Sequence, residues 1–342
     1  MLYLTEAREI SIMVEQMKDI FRLDSDPSAI AEHSIESKKV AILVCTYNGE
    51  RFLREQLESF INQTHKNWSI HVSDDGSTDA TLEILEEYKK QLGDEKIVIL
   101  QGPRQGFAKN FLSLIKNREI VADYFAFSDQ DDIWLEDKLS RSIAQIPQTP
   151  TSKPHLYCSR TKLVNTDLAP LGFSPLFKKR PCFENSLVQS IAGANTMMIN
   201  NAARDLMCRI ADDALVVAHD WLAYLLVTGC GGQVVFDQNP TLLYRQHEGN
   251  LIGANATYKN QVNRILKMLS GRFSEWSTQN LIVLNSIRME LTEDNRRTLE
   301  RFEAARNSGL LSRLYLMKKS GVHRQTLKGN ISLVAAAILN KI

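Results

Sequence analysis

The chain has 342 residues, of which 44% are hydrophobic and 24% charged, and its formal net charge is +1. These values are typical of a globular protein with one or two domains, and a net charge near zero excludes a general attraction to nucleic acid. Five scattered cysteines exclude a disulfide framework and a zinc site and fit a reducing compartment. Because the sequence shows neither a signal-peptide pattern nor an apolar run of about 18 residues, a cytoplasmic location is predicted.

The N-terminal segment is predicted to be a helical extension. Apolar residues at helical spacing, from Ile10 to Ile20, indicate a helix over 5–23. The polar stretch that follows contains a proline and is typical of a linker. The extension is therefore assigned to residues 1–38.

A regular alternation of strands and helices begins at residue 40. "VAILVCT", over 40–46, is a continuous apolar run of the kind found in a strand buried on both faces. The alternation implies right-handed βαβ units and an α/β fold with a mostly parallel central sheet. The predicted strands are 40–46, 68–74, 96–100 and 123–129, and the predicted helices are 50–62, 78–93 and 106–117.

Polar segments follow three of these strands, at the edge where parallel sheets bind ligands. They are 46–49 after the first strand, 74–77 after the second and 129–132 after the fourth. A carboxylate placed like that of Asp74 suits a ribose hydroxyl or a base N–H group, although the residues from Asp75 onward also make an ordinary turn. The convergence of three such segments predicts a ligand site.

The segment "DQDD" places three carboxylates, those of Asp129, Asp131 and Asp132, close together. Mg²⁺ or Mn²⁺ would balance their mutual repulsion, since these cations take oxygen ligands from carboxylates and phosphates. The alternative is that Asp131 or Asp132 caps a helix that begins near Trp134. The position at the end of a strand favours the cation.

The motifs "CTYNG", "DDGSTD" and "DQDD", at these spacings, resemble those of family 2 glycosyltransferases, and the resemblance extends over about 40–250. It implies a Rossmann-like GT-A fold, assigned to residues 39–255, a nucleotide-diphosphate sugar donor, a divalent cation and inversion at the anomeric carbon. Carried onto this chain, it implies a nucleotide-sugar site formed by Thr46, Tyr47, Asn48, Asp74, Lys109, Asn110 and Asp129, and a metal site formed by Asp129, Asp131 and Asp132.

Inverting transfer also needs a base that takes the proton of the acceptor hydroxyl. "HDW", over 219–221, lies where the family places its base, often as Glu-Asp, and His219 replaces the first acid. The subgroup that resembles bacterial rhamnosyltransferases often has His-Asp-Trp, so Asp220 is predicted to be the base. The alternative is that Asp220 caps the following helix and that His219 is a hydrogen-bonded buried histidine.

The segment "YRQHEGNLIG", over 244–253, lacks the Gln-x-x-Arg-Trp motif of processive family members, which argues against processive polymer synthesis. Arg245, Gln246 and Asn250 are candidates for diphosphate binding, and His247 for the diphosphate or the metal, although a lone histidine is more often structural. "SIAGANTMMIN", over 190–200, resembles the acceptor-side loop and strand of the family; the alternative is a simple turn into a core strand.

Residues 256–342 are predicted to form a helical, basic C-terminal region. From residue 304 onward the chain has seven lysines and arginines and no acidic residue, and it ends in the apolar "ISLVAAAILNKI". Such a tail suits contact with an anionic membrane surface. The alternative is a terminal helix packed on the domain with its lysines in water.

Together these patterns predict a metal-dependent, inverting glycosyltransferase of bacterial surface-polysaccharide biosynthesis, such as O-antigen assembly. From the resemblance to rhamnosyltransferases, the predicted donor is dTDP-L-rhamnose and the acceptor a saccharide on a lipid carrier. The alternatives are a UDP-hexose-dependent enzyme of the same fold and a non-catalytic scaffold that binds nucleotide sugars. A nucleotidyltransferase is disfavoured because "CTYNGERF" is not a glycine-rich basic loop.

Overall fold

The computed structural model describes residues 35–147, 152–247 and 272–342. The predicted N-terminal helix over 5–23 and the candidate Asn250 lie outside the described residues. The description that follows concerns the compact unit formed by Lys39–Ile342.

The described elements alternate between strand and helix up to β4, as the sequence predicts, and end in a series of helices. The strands are β1 Val40–Thr46, β2 Trp68–Asp74, β3 Ile97–Gln101, β4 Tyr124–Ser128, β5 Ile133–Trp134, β6 His155–Ser159, β7 Lys162–Val164, β8 Pro170–Phe173, β9 Met198–Asn200, β10 Gln233–Asp237 and β11 Leu242–Arg245. The helices are α1 Leu53–Ile61, α2 Thr81–Leu92, α3 Phe107–Lys116, α4 Lys138–Gln145, α5 Phe183–Ser186, α6 Asn201–Cys208, α7 His219–Gly229, α8 Arg272–Ser286, α9 Glu293–Arg306, α10 Leu310–Ser320 and α11 Leu327–Ile338.

The central sheet has seven strands in the order β10-β6-β9-β4-β1-β2-β3. β1 pairs in parallel with β2 and with β4, so that Thr46 lies beside Asp74 and Val44 beside Ser128. β9 runs antiparallel to both of its neighbours, β4 and β6. The predicted mostly parallel sheet is confirmed, and its parallel register brings the ends of β1, β2 and β4 to the same edge.

A second sheet of four short strands, in the order β5-β11-β7-β8, covers this edge and was not predicted. Ile133 and Trp134, directly after the acidic segment, pair antiparallel with β11. Helix α4 begins only at Lys138, and the residue before it makes no side-chain cap bond. Asp131 and Asp132 therefore do not cap that helix, and the pairing leaves both residues next to β11.

The C-terminal helices pack on the same core as the sheet. Leu284 of α8, Phe302 of α9 and Leu333 of α11 are almost fully buried in a cluster that also contains Phe125 of β4. Burial of large apolar side chains is the main favourable term in such packing. None of the helices in the described part of the chain is long and apolar enough to cross a bilayer.

Candidate active site

Three loops meet at the carboxyl edge of the central sheet, as the sequence predicts. The backbone N–H of Asp75 donates to Thr46 O at 2.8 Å, and that of Gly102 donates to Asp74 O at 2.7 Å. Cys45 lies near the end of β1. Burial and the charges of Asp129 and Asp75 raise the pKa of its thiol well above the ordinary value. The acids after β2 and after β4 therefore face one another across β1.

Hydrogen bonds from Gln130 and from Thr78 hold the loop after β1, and the ring of Tyr47 in this loop is exposed. Gln130 binds the Tyr47 backbone reciprocally: its Oε1 accepts from Tyr47 N at 2.9 Å and its Nε2 donates to Tyr47 O at 3.0 Å. Asn48, with φ of 49°, accepts the Thr78 N–H at 2.8 Å through Oδ1; asparagine is among the few residues that tolerate this left-handed backbone. The Tyr47 side chain is 61% exposed, which leaves its ring available for stacking on a base.

Asp74 organises the turn after β2. Its Oδ1 accepts the backbone N–H groups of Gly76 and Ser77 at 3.1 and 2.8 Å. Its Oδ2 accepts the hydroxyls of Thr46 and Ser77 at 2.8 and 2.5 Å. With four donors already bound, and both Asp74 and Thr46 buried, these two residues support the loop from behind, and their predicted contact with the nucleotide stays a prediction.

Asp75 connects the loop after β2 to the loop after β3. Its two oxygens accept the backbone N–H groups of Arg104 and Gly106 at 2.6 and 2.9 Å. Asn110, at the start of α3, is buried and donates from Nδ2 to Ser73 O at 2.9 Å. Lys109 donates from Nζ to the carbonyl oxygen of Asp212. Asn110 thus anchors α3 to β2, while the ammonium group of Lys109 binds the loop that follows α6.

Asp131 and His247 form a pair at the rim, although 116 positions separate them in the chain. Oδ2 of Asp131 lies 2.7 Å from Nε2 of His247, and each side chain is 17% exposed. The imidazole packs against Phe52, with ring centroids 5.1 Å apart. Burial and the charges of Asp131 and Asp220 raise the pKa of Asp129 to about 7. Carboxylates are therefore crowded at this point, and a histidine lies against one of them.

Asp132 has an environment different from that of its two neighbours. It is 0% exposed, its Oδ1 accepts the Arg245 N–H at 3.1 Å and its Oδ2 accepts Nδ2 of Asn195 at 2.5 Å. Its own N–H donates to Oε1 of Gln56 at 2.9 Å. Burial and the charges of Asp131 and Asp129 raise the pKa of Asp132 well above the ordinary value. Asp132 thus joins α1, β11 and the turn at Ala194–Thr196 to the acidic segment.

Arg245 holds the acidic segment from the second sheet. Its guanidinium donates to Asp131 O at 3.0 Å, to Thr166 O at 2.7 Å and to Oε2 of Glu55 at 2.7 Å. It also lies 4.4 Å over the ring of Phe52, and the side chain is 1% exposed. The predicted contact of Arg245 with the donor stays a prediction, whereas its contacts with the acidic segment are direct.

Asp220 lies in the first turn of α7. Its Oδ1 accepts the Trp221 N–H at 2.7 Å. Burial raises the pKa of Asp220 to about 6, and the neighbouring backbone N–H groups oppose the rise because they favour the charged form. The charge of Asp220 also raises the pKa of Asp129. A carboxylate with an elevated pKa, next to the acidic segment, has the properties of a general base that works near neutral pH.

His219 is buried by aromatic rings rather than by hydrogen bonds. It is 1% exposed and stacks on Phe111 and Phe127, at centroid distances of 4.0 and 5.5 Å. Neither ring nitrogen has a hydrogen-bond partner among the described residues, which differs from the hydrogen-bonded histidine considered as an alternative. Burial lowers its pKa to about 3, so the imidazole is neutral and acts as an aromatic packing group.

The side chains that fit a divalent cation are Asp131 and His247, with Asp129 beside them. In the ranges that the structure covers, no three His, Cys, Asp or Glu side chains converge closely enough to hold a cation without other ligands. Mg²⁺ commonly keeps only one or two protein carboxylates and takes its other ligands from water and substrate phosphates. The donor set therefore fits a cation that is bound together with a diphosphate.

Sequence reasoning missed the residues that hold the site together. Gln56, Gln130 and Asn195 each donate to or accept from the loops described above, and Glu55 pairs with Arg245. Their partners are 63 to 190 positions away in the chain, so no local spacing could reveal them. Gln130 lies within the DQDD segment and Asn195 within the predicted acceptor-side loop, but neither motif indicates these contacts.

Comparison with known proteins agrees with this geometry. A model of glycosyl transferase family 2 matches residues 41–207. The dTDP-rhamnosyl transferase RfbG of Shigella flexneri is 34% identical over 239 residues, which are 65% of this chain and 78% of that relative. The putative teichuronic acid biosynthesis glycosyltransferase TuaG of Bacillus subtilis is 27% identical over 164 residues, 47% of this chain and 62% of that protein.

A solved structure shares the fold. The crystal structure of residues 1–349 of Staphylococcus aureus TarS in complex with UDP-GlcNAc superimposes with a TM-score of 0.52, covers 89% of each chain and is 17% identical. The likeness concerns the fold alone, and it confirms the predicted GT-A architecture. The family model and the similarity to RfbG, which extends over 78% of that relative, identify the family. The chain belongs to glycosyl transferase family 2 and is a glycosyltransferase.

Proposed function

We propose that this enzyme transfers L-rhamnose, with inversion and with the help of a divalent cation, from dTDP-L-rhamnose to a saccharide acceptor in bacterial surface-polysaccharide biosynthesis. The observation that carries the proposal is the cluster of Asp129, Asp131 and His247 at the sheet edge, with Asp220 next to it. The choice of sugar rests on the similarity to a dTDP-rhamnosyl transferase.

The proposed reaction is a single displacement at the anomeric carbon. Asp220 takes the proton of the acceptor hydroxyl as that oxygen forms its bond to the anomeric carbon. On the opposite face the bond from this carbon to the diphosphate breaks, and the leaving nucleoside diphosphate keeps the electron pair. Attack on one face with departure from the other inverts the configuration.

The donor is proposed to lie across the ends of β1, β2 and β4. Tyr47 offers its exposed ring to the base, and Asn48 shapes the loop that carries it. Asp129 faces the ribose, whereas Asp131 and His247 face the diphosphate. Lys109 and Asn110, in the first turn of α3, border the donor on another side. The buried residues that support these groups are Thr46, Asp74, Asp132 and Arg245.

Mg²⁺ or Mn²⁺, when bound, would neutralise charge on the departing diphosphate. On the protein side, Asp131 and His247 would supply the ligands, and Asp129 would add negative charge nearby. Burial and the charges of Asp131 and Asp220 raise the pKa of Asp129. The site without a cation therefore favours uptake of a proton by Asp129, and the site with one favours the ionised form.

The acceptor is proposed to be a growing saccharide on a lipid carrier, with the enzyme at the cytoplasmic face of the membrane. Residues 39–255 would carry the transferase site and residues 304–342 the membrane contact. The support is the basic character of the last 39 residues, which contain no acid. Anionic lipid headgroups attract such segments.

The donor assignment is tested by thermal shift with dTDP-L-rhamnose, dTDP, UDP-glucose, UDP-GlcNAc and GDP-mannose, each with and without Mn²⁺. A ligand that binds only the folded chain raises its stability by mass action, so a rise of a few degrees is expected with dTDP-L-rhamnose in the presence of Mn²⁺. In Asp131→Asn the Mn²⁺-dependent part of the rise should disappear.

The matched control is Asp213→Asn, which changes an exposed aspartate and should behave as the native chain. A larger shift with a UDP-sugar would replace the proposed donor, and no shift with any ligand would contradict a donor site at this edge.

A further inference from the structure

Helix α11 presents large aliphatic side chains to solvent along one line. Leu327, Ile331, Val334 and Ile338 are 77%, 63%, 51% and 50% exposed, and we call these four residues the outer stripe. Their spacing of four, three and four residues places them on one face of a helix. The residues that α11 buries are Leu333, Ala336 and Ala337 on the other side. The helix therefore packs on the protein through one leucine and two alanines and turns four larger aliphatic residues outward.

This arrangement calls for an explanation because α11 already has a core-facing side. Single exposed leucines are common on protein surfaces, but four in register form a continuous apolar strip, and strips of this kind mark interaction surfaces. Leu339, directly after the helix, is 55% exposed as well. On the preceding helix, α10, Leu311 and Tyr315 are 83% and 62% exposed.

The C-terminal helices that carry the outer stripe also carry exposed lysines. Lys328 and Lys341 are exposed on α11 and just beyond it, and Lys318 and Lys319 are exposed at the end of α10. No aspartate or glutamate occurs from residue 304 to the end of the sequence. Arg313 of α10 donates from its guanidinium to Ala337 O of α11 at 2.9 Å, so the two helices are in direct contact.

We propose that the outer stripe is a docking face for an anionic lipid bilayer, on which α11 lies parallel to the membrane plane. A bilayer surface offers both of the chemistries that this face requires, an apolar boundary for the aliphatic line and negative headgroups for the lysines. The helix has 12 residues and is about 18 Å long. It is too short for the roughly 30 Å of a hydrocarbon core, which excludes a spanning orientation.

A second copy of the chain fits this face less well. A two-fold contact through the stripe would place the same surface against itself, and the exposed lysines of one copy would come close to those of the other. Like charges brought together in an interface disfavour association. The charge pattern therefore favours the bilayer over self-association.

The inference deepens the proposed location of the enzyme and rests on it, but its test needs neither donor nor acceptor. Flotation of the full chain is measured with vesicles of phosphatidylcholine alone and of phosphatidylcholine mixed with phosphatidylglycerol. Binding is expected only to the anionic vesicles and should weaken as salt is added. The double substitution Ile331→Gln/Val334→Gln should lower the partition coefficient at least about tenfold, because it removes two inserted aliphatic side chains.

The matched control is Val121→Gln/Leu215→Gln, which changes two exposed apolar residues, 72% and 69% exposed, outside the C-terminal helices. It should bind as the native chain does, and both double variants should keep the native melting temperature because all four positions are exposed.

Equal binding by the stripe double and the control would overturn the proposal, as would equal binding to neutral vesicles. A dimer seen by light scattering that only the stripe double abolishes would assign the face to a second copy instead. Transfer to a soluble acceptor analogue should be unchanged in the stripe double, so failure of vesicle binding remains distinguishable from failure of the proposed reaction.

Discussion

Asp220→Asn is expected to lower the rate of sugar transfer by about 10²- to 10⁴-fold, the usual contribution of a general base, while donor affinity changes by less than about threefold. The amide keeps the shape of the side chain and one oxygen that can accept the Trp221 N–H now bound at 2.7 Å. It cannot take a proton from the acceptor hydroxyl. Initial rates at saturating donor, together with calorimetric titration of the donor, measure the two effects separately.

The comparison for Asp220→Asn is again Asp213→Asn, which removes the same charge at an exposed site and should retain native rates. A parallel loss of donor affinity and rate in Asp220→Asn would show that Asp220 supports the donor site rather than the proton transfer. A native rate in Asp220→Asn would show that Asp220 is not the base.

The same residue predicts a pH dependence. Burial raises the pKa of Asp220 to about 6, and only its ionised form can act as a base, so kcat/KM should fall about tenfold per pH unit below pH 6 and level off above it. The pKa of Asp129 is raised as well, to about 7. Saturating Mn²⁺ favours the ionised form of Asp129. The fall in kcat/KM below pH 6 is then due to Asp220. The residual activity of Asp220→Asn should lack this fall; a profile with the same fall would assign it to another group.

The sequence was sufficient to predict the sheet edge because the relevant signals are local. Strands β1 and β2 have the bounds that their apolar runs indicate, and the polar loops follow directly from the strand ends. Parallel pairing then forces these loops together. Helix α2 begins at Thr81 rather than at residue 78, because Asp79 accepts the Thr81 N–H and hydroxyl at 3.0 and 2.5 Å and fixes a turn before the helix.

The second sheet could not be predicted in the same way. β5 has two residues and β11 four, which is too short for a periodic pattern to stand out from a loop. Yet this pairing brings Arg245 and His247 to the acidic segment. The resemblance to a family pointed to both residues as candidates, but the buried position of Arg245 and the contact of His247 with Asp131 are products of tertiary pairing.

The sequence grouped Asp132 with the metal ligands, and its geometry predicts a different outcome on substitution. Its carboxylate accepts from the Arg245 backbone and from Asn195, the neighbour of Ala194. Asp132 thus connects the strand that leads to His247 with the turn at Ala194–Thr196. Asp132→Ala leaves two buried donors without an acceptor, each at a cost of about 1–3 kcal/mol, so the free energy of unfolding should fall by about 2–5 kcal/mol in urea titration.

Asp132→Asn separates a positioning role from a ligand role. The pKa of Asp132 is already raised well above its ordinary value by burial and by its acidic neighbours, so a neutral side chain of the same shape suits the site. Its oxygen can still accept the Arg245 N–H, and the amide of Asn195 can rotate to present its oxygen to the new NH₂ group. We expect Asp132→Asn to lose less than about 1 kcal/mol of stability, since the buried hydrogen bonds are remade, and to keep the native dependence of transfer on Mn²⁺ concentration. If Asp132 were instead a ligand of the cation, Asp132→Asn would remain folded but require far more Mn²⁺, as Asp131→Asn should. The order of the two variants in the Mn²⁺ titration therefore decides which of the neighbouring aspartates binds the cation and which one holds the site in place.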